Sequence, residues 1–118
     1  MSNRRRALGS AGEDAVADWY ETAGYEVLDR NWRCRTGELD LVVTRDRVVV
    51  FCEVKTRRSG TFGAPVEAIT FTKRRRLRTL AAEWLAHCRP GRCEVRFDVA
   101  SVRPAGAELA VEVLEDAF

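Results

Sequence analysis

Val48-Val49-Val50-Phe51-Cys52-Glu53-Val54-Lys55-Thr56 is the most strand-like run of the chain. β-Branched and aromatic side chains suit a pleated backbone. Both faces of the run are largely apolar, the pattern of a central strand covered on each side. Just before it, Thr44-Arg45-Asp46-Arg47 reads as a turn, and Glu38 to Val43 alternates as a second strand. Further back, Asn31 to Gly37 is polar and basic, hence a connection, and Tyr25 to Leu28 reads as a short strand. Leu8, Ala11, Ala15, Trp19 and Ala23 recur at three- and four-residue steps. They predict a helix from about Leu8 to Ala23, stopped by Gly24. Residues 1–7, with three consecutive arginines, read as a basic flexible tail.

Beyond the central run, Arg57 to Pro65 reads as a loop with Gly60 and Gly63, and Pro65-Val66-Glu67-Ala68 as a short helical turn. A second helix is expected from about Thr72 to Cys88, ended by Pro90-Gly91. Leu77, Leu80, Ala81, Trp84 and Leu85 form its buried stripe, with Lys73, Arg74, Arg75 and Arg78 on the side facing away. Strands at Glu94–Val102 and Glu108–Leu114 complete the chain. The order α-β-β-β-α-β-β predicts an α/β fold, a mixed central sheet flanked by helices, with residues 8–118 as one domain.

The chain has 118 residues, 46% hydrophobic and 32% charged, which is globular composition. A chain of this size hides about 65% of its unfolded surface and builds a core without disulfides or metal. No run approaches the ~18 apolar residues that span a bilayer, and no apolar segment follows the basic start. No membrane association and a cytoplasmic location are therefore expected. All 20 basic residues lie in positions 1–106, against 14 acidic ones, while the last twelve residues hold four acids and no base. A basic body with an acidic end points towards a polyanionic partner, and equally suits an ordinary solvated surface. Eighteen of the basic residues are arginine; Lys55 and Lys73 are the two lysines. A lysine is a compact ammonium whose pKa moves, so these two mark places where arginine would not serve. Cys34, Cys52, Cys88 and Cys93 make no C-x-x-C pair and read as structural thiols, including Cys88 and Cys93 beside His87. His87 itself, near a helix C-terminus, reads as a dipole partner.

The chemistry concentrates in Gly37-Glu38-Leu39-Asp40 and Phe51-Cys52-Glu53-Val54-Lys55. Strand side chains alternate, so Glu38 and Asp40 share one face of their strand, and Glu53 and Lys55 share one of theirs. An even-numbered hairpin loop brings the two sets to the same face; an odd loop or a bulge separates them. Clustered carboxylates on an apolar strand are costly unless paired or metal-bound. A hard divalent ion offsets that cost, and Mg²⁺ takes a few carboxylates while keeping waters for a phosphate. With Lys55 alongside to orient a nucleophile and balance charge, the set suits phosphodiester hydrolysis.

An acidic residue followed, on the next strand, by Glu-x-Lys resembles the PD-(D/E)XK nuclease superfamily. Nearly the whole chain resembles one branch of it, the YraN-like family of small bacterial endonuclease-like proteins. The resemblance rests on Gly12-Glu13 with Ala17, Gly24-Tyr25, Asn31-Trp32-Arg33 and Gly37-Glu38-Leu39-Asp40. It continues through Phe51-Cys52-Glu53-Val54-Lys55-Thr56-Arg57, Gly63, Lys73 and Arg96-Phe97-Asp98-Val99. Leu39 stands where the superfamily has its proline. The resemblance implies a restriction-endonuclease-like fold, similar to Holliday-junction resolvases, and a hydrolase acting on DNA, branched or otherwise structured DNA included. It implies that Asp40 and Glu53 hold Mg²⁺, with Mn²⁺ as a substitute, that Lys55 is the catalytic lysine, and that Glu13 reaches the site from the first helix. Related resolvases pair to cut two strands, so a homodimer fits the resemblance.

Bland readings stand beside these. Glu13 also suits a helix N-terminus by the macrodipole, Glu38 a solvated strand start, and Asp40 and Glu53 a structural pairing with Lys55. Lys73, Arg74, Arg75, Arg76 and Arg78 form either an exposed helix face or a phosphate-tracking patch, and Arg57 and Arg58 would grip neighbouring phosphates. Trp32 suits base stacking or surface packing equally; Trp19 and Trp84 read as core. The rival to a nuclease is a non-catalytic nucleic-acid-binding module with the same fold, and a scaffold without a nucleic-acid partner is the third reading.

Overall fold

The structure, a computed structural model, describes residues 2–57 and 69–118, with side chains from residue 10 onward. Its elements follow the order read from the sequence: α1 (Ser2–Thr22), β1 (Glu26–Cys34), β2 (Gly37–Arg45), β3 (Val48–Thr56), α2 (Phe71–Cys88), β4 (Glu94–Ala105) and β5 (Glu108–Leu114). The strands form one five-stranded sheet in the order β1-β2-β3-β4-β5. All neighbours are antiparallel except β3 and β4, which run parallel with α2 as their crossover. Arg58 and residues 58–68, the bulk of the expected loop and its short turn, lie outside the described residues.

β3 is the central strand, and each face carries its own core. Val50 and Cys52 pack with Leu41, Val43, Ala100 and Val102 under Val16, Ala17 and Tyr20 of α1. Val49 and Phe51 pack with Val42 and Phe97 under Leu77, Leu80, Ala81 and Trp84 of α2. The strict alternation along β3 gives each helix one row of side chains. Thr70 caps α2, its hydroxyl accepting from the Lys73 backbone N–H at 3.1 Å, and Arg89 closes the helix in the left-handed conformation at φ 45°.

Three expectations change in detail. α1 begins at Ser2 and so takes in most of residues 1–7, expected as a tail; arginine, alanine and leucine are good helix formers and nothing there breaks the turn. Its buried face is Gly12, Val16, Ala17 and Tyr20, rotated from the expected stripe, and Trp19 is half-buried. The alanines of the expected stripe carry little apolar area, so the larger Val16 and Tyr20 set the helix rotation. β1 extends to Cys34 through the polar stretch expected as a connection, because its backbone pairs with β2 as far as Cys34↔Gly37. It does so through a bulge at Leu28 and a left-handed Asn31, φ 51°.

Candidate active site

The hairpin between β2 and β3 turns on two residues, Asp46 and Arg47, with φ 51° and 66°. Two consecutive left-handed residues make the tight turn whose twist matches the strands it joins. The loop is even, and the ladder runs from Arg45↔Val48 to Leu41↔Cys52 and stops there. β2 continues along β1, and β3 along β4 to Thr56↔Val102. A notch therefore opens between β2 and β3 beyond Leu41 and Cys52, and the chemistry-bearing residues stand in it.

Asp40 takes the place of the missing ladder partner: the Val54 N–H donates to its Oδ2 at 2.9 Å. Alternation breaks at this residue, since Leu39 and Val42 both pack on the α2 side. Glu53 is buried, 8% exposed at the side chain, and carries two ammonium groups on one oxygen. Lys55 Nζ lies 3.2 Å and Lys73 Nζ 2.6 Å from Glu53 Oε2. Asp40 and Glu53 line the same recess, close enough for the charge of Glu53 to bear on Asp40. Burial and the charge of Glu53 push the Asp40 carboxyl up to about 7, against the opposing pull of the Val54 N–H, with Glu13 adding further negative charge. Lys55 moves down, through burial first and then the neighbouring Lys73 ammonium. Burial opposes the charged form of Lys73 too, but its hydrogen bond to Glu53 turns the net shift upward.

Glu13 enters from α1. Gly12 allows that approach: a Cβ there would collide with the Thr56 hydroxyl of β3. Asn31 Nδ2 donates to Glu13 Oε1 at 3.1 Å. By the register of β1 on β2, Asn31 lies opposite Asp40, so the strained residue of one strand faces the key carboxyl of the next. Asn is among the few non-glycine residues that visit this conformation. The sequence marks it only as part of the Asn31-Trp32-Arg33 segment, with no site role attached.

The remaining expected residues divide. Glu38 pairs with Arg33, Nε to Oε2 2.9 Å, and lines a recess of about 230 Å³ together with Asp40, Glu53, Lys73 and Arg76. Lys73 faces inward, contrary to its expected place on the outer side, because burying Glu53 favours a cation that reaches it. Arg76, expected only as part of the basic helix face, joins the recess. Arg74 and Arg78 lie over the Phe118 ring, and Arg78 also over Phe97; Arg75 lies over Phe71. Lys73, Arg74, Arg75 and Arg78 thus make no single row. Arg57 is half-buried where β3 ends, its backbone N–H donating to Val102 O at 2.7 Å. Trp32 packs against the α2 core with its ring 6.3 Å from that of His87. Asp98, fully buried, is a separate cluster: Arg96 grips it through two 2.9 Å bonds, Tyr20 donates at 2.6 Å and the Asp116 N–H at 3.0 Å. Its oxygens are spent on structure.

The donor set bears on a metal. Among the described residues no three His, Cys, Asp or Glu side chains gather as ligands, so a closed zinc-type site is not built. Asp40 and Glu53 line one recess, with the negative charge of Glu53 and Glu13 bearing on Asp40. That suits a hard ion held by two carboxylates and water, the habit of Mg²⁺.

A family model described as Uncharacterised protein family UPF0102 matches residues 12–102, a span that holds Glu13, Asp40, Glu53, Lys55 and Lys73. The chain is similar to a UPF0102 protein of Rhodococcus opacus (strain B4), 47% identical over 113 residues, covering 95% of this chain and 96% of the relative. It is 50% identical over 113 residues to a UPF0102 protein of Frankia casuarinae, covering 95% and 96% of the two chains. A UPF0102 protein of Caldicellulosiruptor saccharolyticus is 40% identical over 116 residues, 97% of this chain and 98% of the relative. On a match of this length, and on relatives this similar end to end, the chain belongs to the UPF0102 family, the YraN-like family read from its sequence.

Proposed function

We propose that the protein is a Mg²⁺-dependent endonuclease-like phosphodiester hydrolase of the PD-(D/E)XK superfamily, with a restriction-endonuclease-like fold, acting on DNA, branched or structured DNA included. One observation carries the reading: Asp40, Glu53 and Lys55 converge at the open end of β2 and β3. Asp40 and Glu53 would hold the ion, and a bound Mg²⁺ or Mn²⁺ supplies Lewis-acid charge at a phosphoryl oxygen. Lys55 presents an ammonium that orients a water and balances phosphate charge. Asn31 holds Glu13 in place at the rim. Arg76, in the recess, would offer a forked donor to a phosphate, and Arg57 at the end of β3 is a second candidate.

The test is cleavage of supercoiled, nicked and junction DNA with Mg²⁺ or Mn²⁺ by the wild type, Asp40→Asn, Glu53→Gln and Lys55→Ala. Wild-type cleavage lost in all three variants is the expected result. Cleavage no greater in the wild type than in the variants removes the catalytic reading.

A second reading has its own support. Lys55 and Lys73 both pair with Glu53, and a carboxylate balanced by two ammonium groups suits a nucleic-acid-binding module that keeps the fold and does no chemistry. Binding would then persist in EDTA and fall steeply with salt.

A further inference from the structure

Lys73 stands closer to Glu53 than does Lys55, at 2.6 Å against 3.2 Å, and both ammonium groups use the same oxygen. A carboxylate oxygen has two lone pairs, so Glu53 Oε2 has none left for another cation. The two lysines are not equivalent. Lys55 rises from the middle of the sheet, while Lys73 comes from the first turn of α2, where its own backbone N–H is held by the Thr70 cap. The Lys73 side chain is 35% exposed and has a route to solvent; Glu53, at 8%, does not. A four-carbon stem on an anchored backbone lets the ammonium leave while the helix stays in place.

We propose that Lys73 is a resident counter-cation of Glu53, which a divalent ion binding at Asp40 and Glu53 must displace. The inference rests on the metal-site reading above and adds a competitor to it. A divalent ion and an ammonium repel at this separation and claim the same carboxylate. In the ion-free protein Lys73 balances a buried charge that is otherwise costly. Once displaced, its ammonium lies beside Arg76 at the mouth of the recess, ready for a phosphate. The role requires a compact, mobile cation, and this is one of the two places where the chain carries lysine among 18 arginines.

The experiment is calorimetric titration of the full chain with Mn²⁺, without nucleic acid. The proteins are wild type, Lys73→Met, Lys73→Gln, Glu53→Gln and Arg75→Met, each checked by circular dichroism melting. The glutamine variant keeps a neutral hydrogen bond to Glu53 should the methionine variant fail to fold. The expected result is Mn²⁺ affinity about tenfold tighter in both Lys73 variants, from loss of a like charge, with Arg75→Met unchanged and Glu53→Gln not binding. Binding by the Lys73 variants alone, with none by the wild type, gives the same support more strongly. Wild-type binding that the Lys73 variants leave equal or weaken overturns the counter-cation role while the metal site stands. An equal gain in Arg75→Met also overturns it, since the effect is then general charge. No binding by any of the proteins overturns the metal-site reading and this role together.

Discussion

Asp40 accepts the Val54 N–H at 2.9 Å through its side chain, at the position where a backbone carbonyl of β2 would serve if the ladder continued. The carboxyl is therefore both a structural cap for β3 and the group that opens the notch. The same contact favours its ionised form, yet burial and Glu53 outweigh it and leave the carboxyl near 7.

A carboxyl raised from 3.8 to about 7 holds its proton in the folded chain after the unfolded chain has lost it. Its contribution is fully present below about pH 4 and is lost as pH rises through about 7. Urea unfolding of the wild type should show stability falling by about 1–3 kcal/mol across that window. Asp40→Asn keeps the acceptor for Val54 and adds a donor for Glu53, so it should flatten the dependence. A variant with the same slope as the wild type would place the titration elsewhere.

Mn²⁺ or Mg²⁺ should raise the melting temperature of the wild type at pH 8, since a ligand that binds the native state stabilises it by mass action. Asp40→Asn and Glu53→Gln should show no rise at the same ion concentration. Differential scanning calorimetry checks this without any assumption about substrate.

Gly12 is a steric requirement that can be measured. Gly12→Ala gains helix propensity of about 1 kcal/mol but drives its methyl into the Thr56 hydroxyl. The net expectation is a loss of about 1–3 kcal/mol from overpacking. Thr56→Ala removes the nearest atom and should restore most of it. A double-mutant cycle by chemical denaturation reads the coupling; strict additivity would mean that α1 shifts freely.

Asn31 separates backbone from side chain. Asn31→Ala must hold a left-handed φ without the polar group that tolerates it and should cost about 1 kcal/mol. Asn31→Gly should leave stability within about 0.5 kcal/mol, since glycine adopts that conformation freely. Both variants lose the donor to Glu13 and should weaken Mn²⁺ binding or cleavage alike.

Asp98 should behave as structure. Asp98→Ala leaves Arg96 and the Tyr20 hydroxyl without their shared acceptor, and about 3 kcal/mol of stability should go. Tyr20→Phe should cost about 1–2 kcal/mol. Divalent-ion affinity should be unchanged in Tyr20→Phe, which leaves the two Arg96 bonds to Asp98 in place.

Local pattern was enough for the element order. The apolar run of β3, the alternation of β2 and the Leu77–Trp84 stripe each state their own geometry, because a strand or helix buries one row of side chains at a set period. Asp40, Glu53 and Lys55 were legible for the same reason: charged residues inside apolar strands are conspicuous. What tertiary structure alone decided is how those rows meet. The inward turn of Lys73, the rotation of α1 that carries Glu13 to the rim, the facing of Asn31 and Asp40, and the sealing of Asp98 all depend on contacts between residues far apart in the chain. An exposed-looking lysine in a basic helix carries no mark of its partner; only the burial of Glu53, on β3 of the sheet that α2 packs against, makes pairing with it the lower free energy.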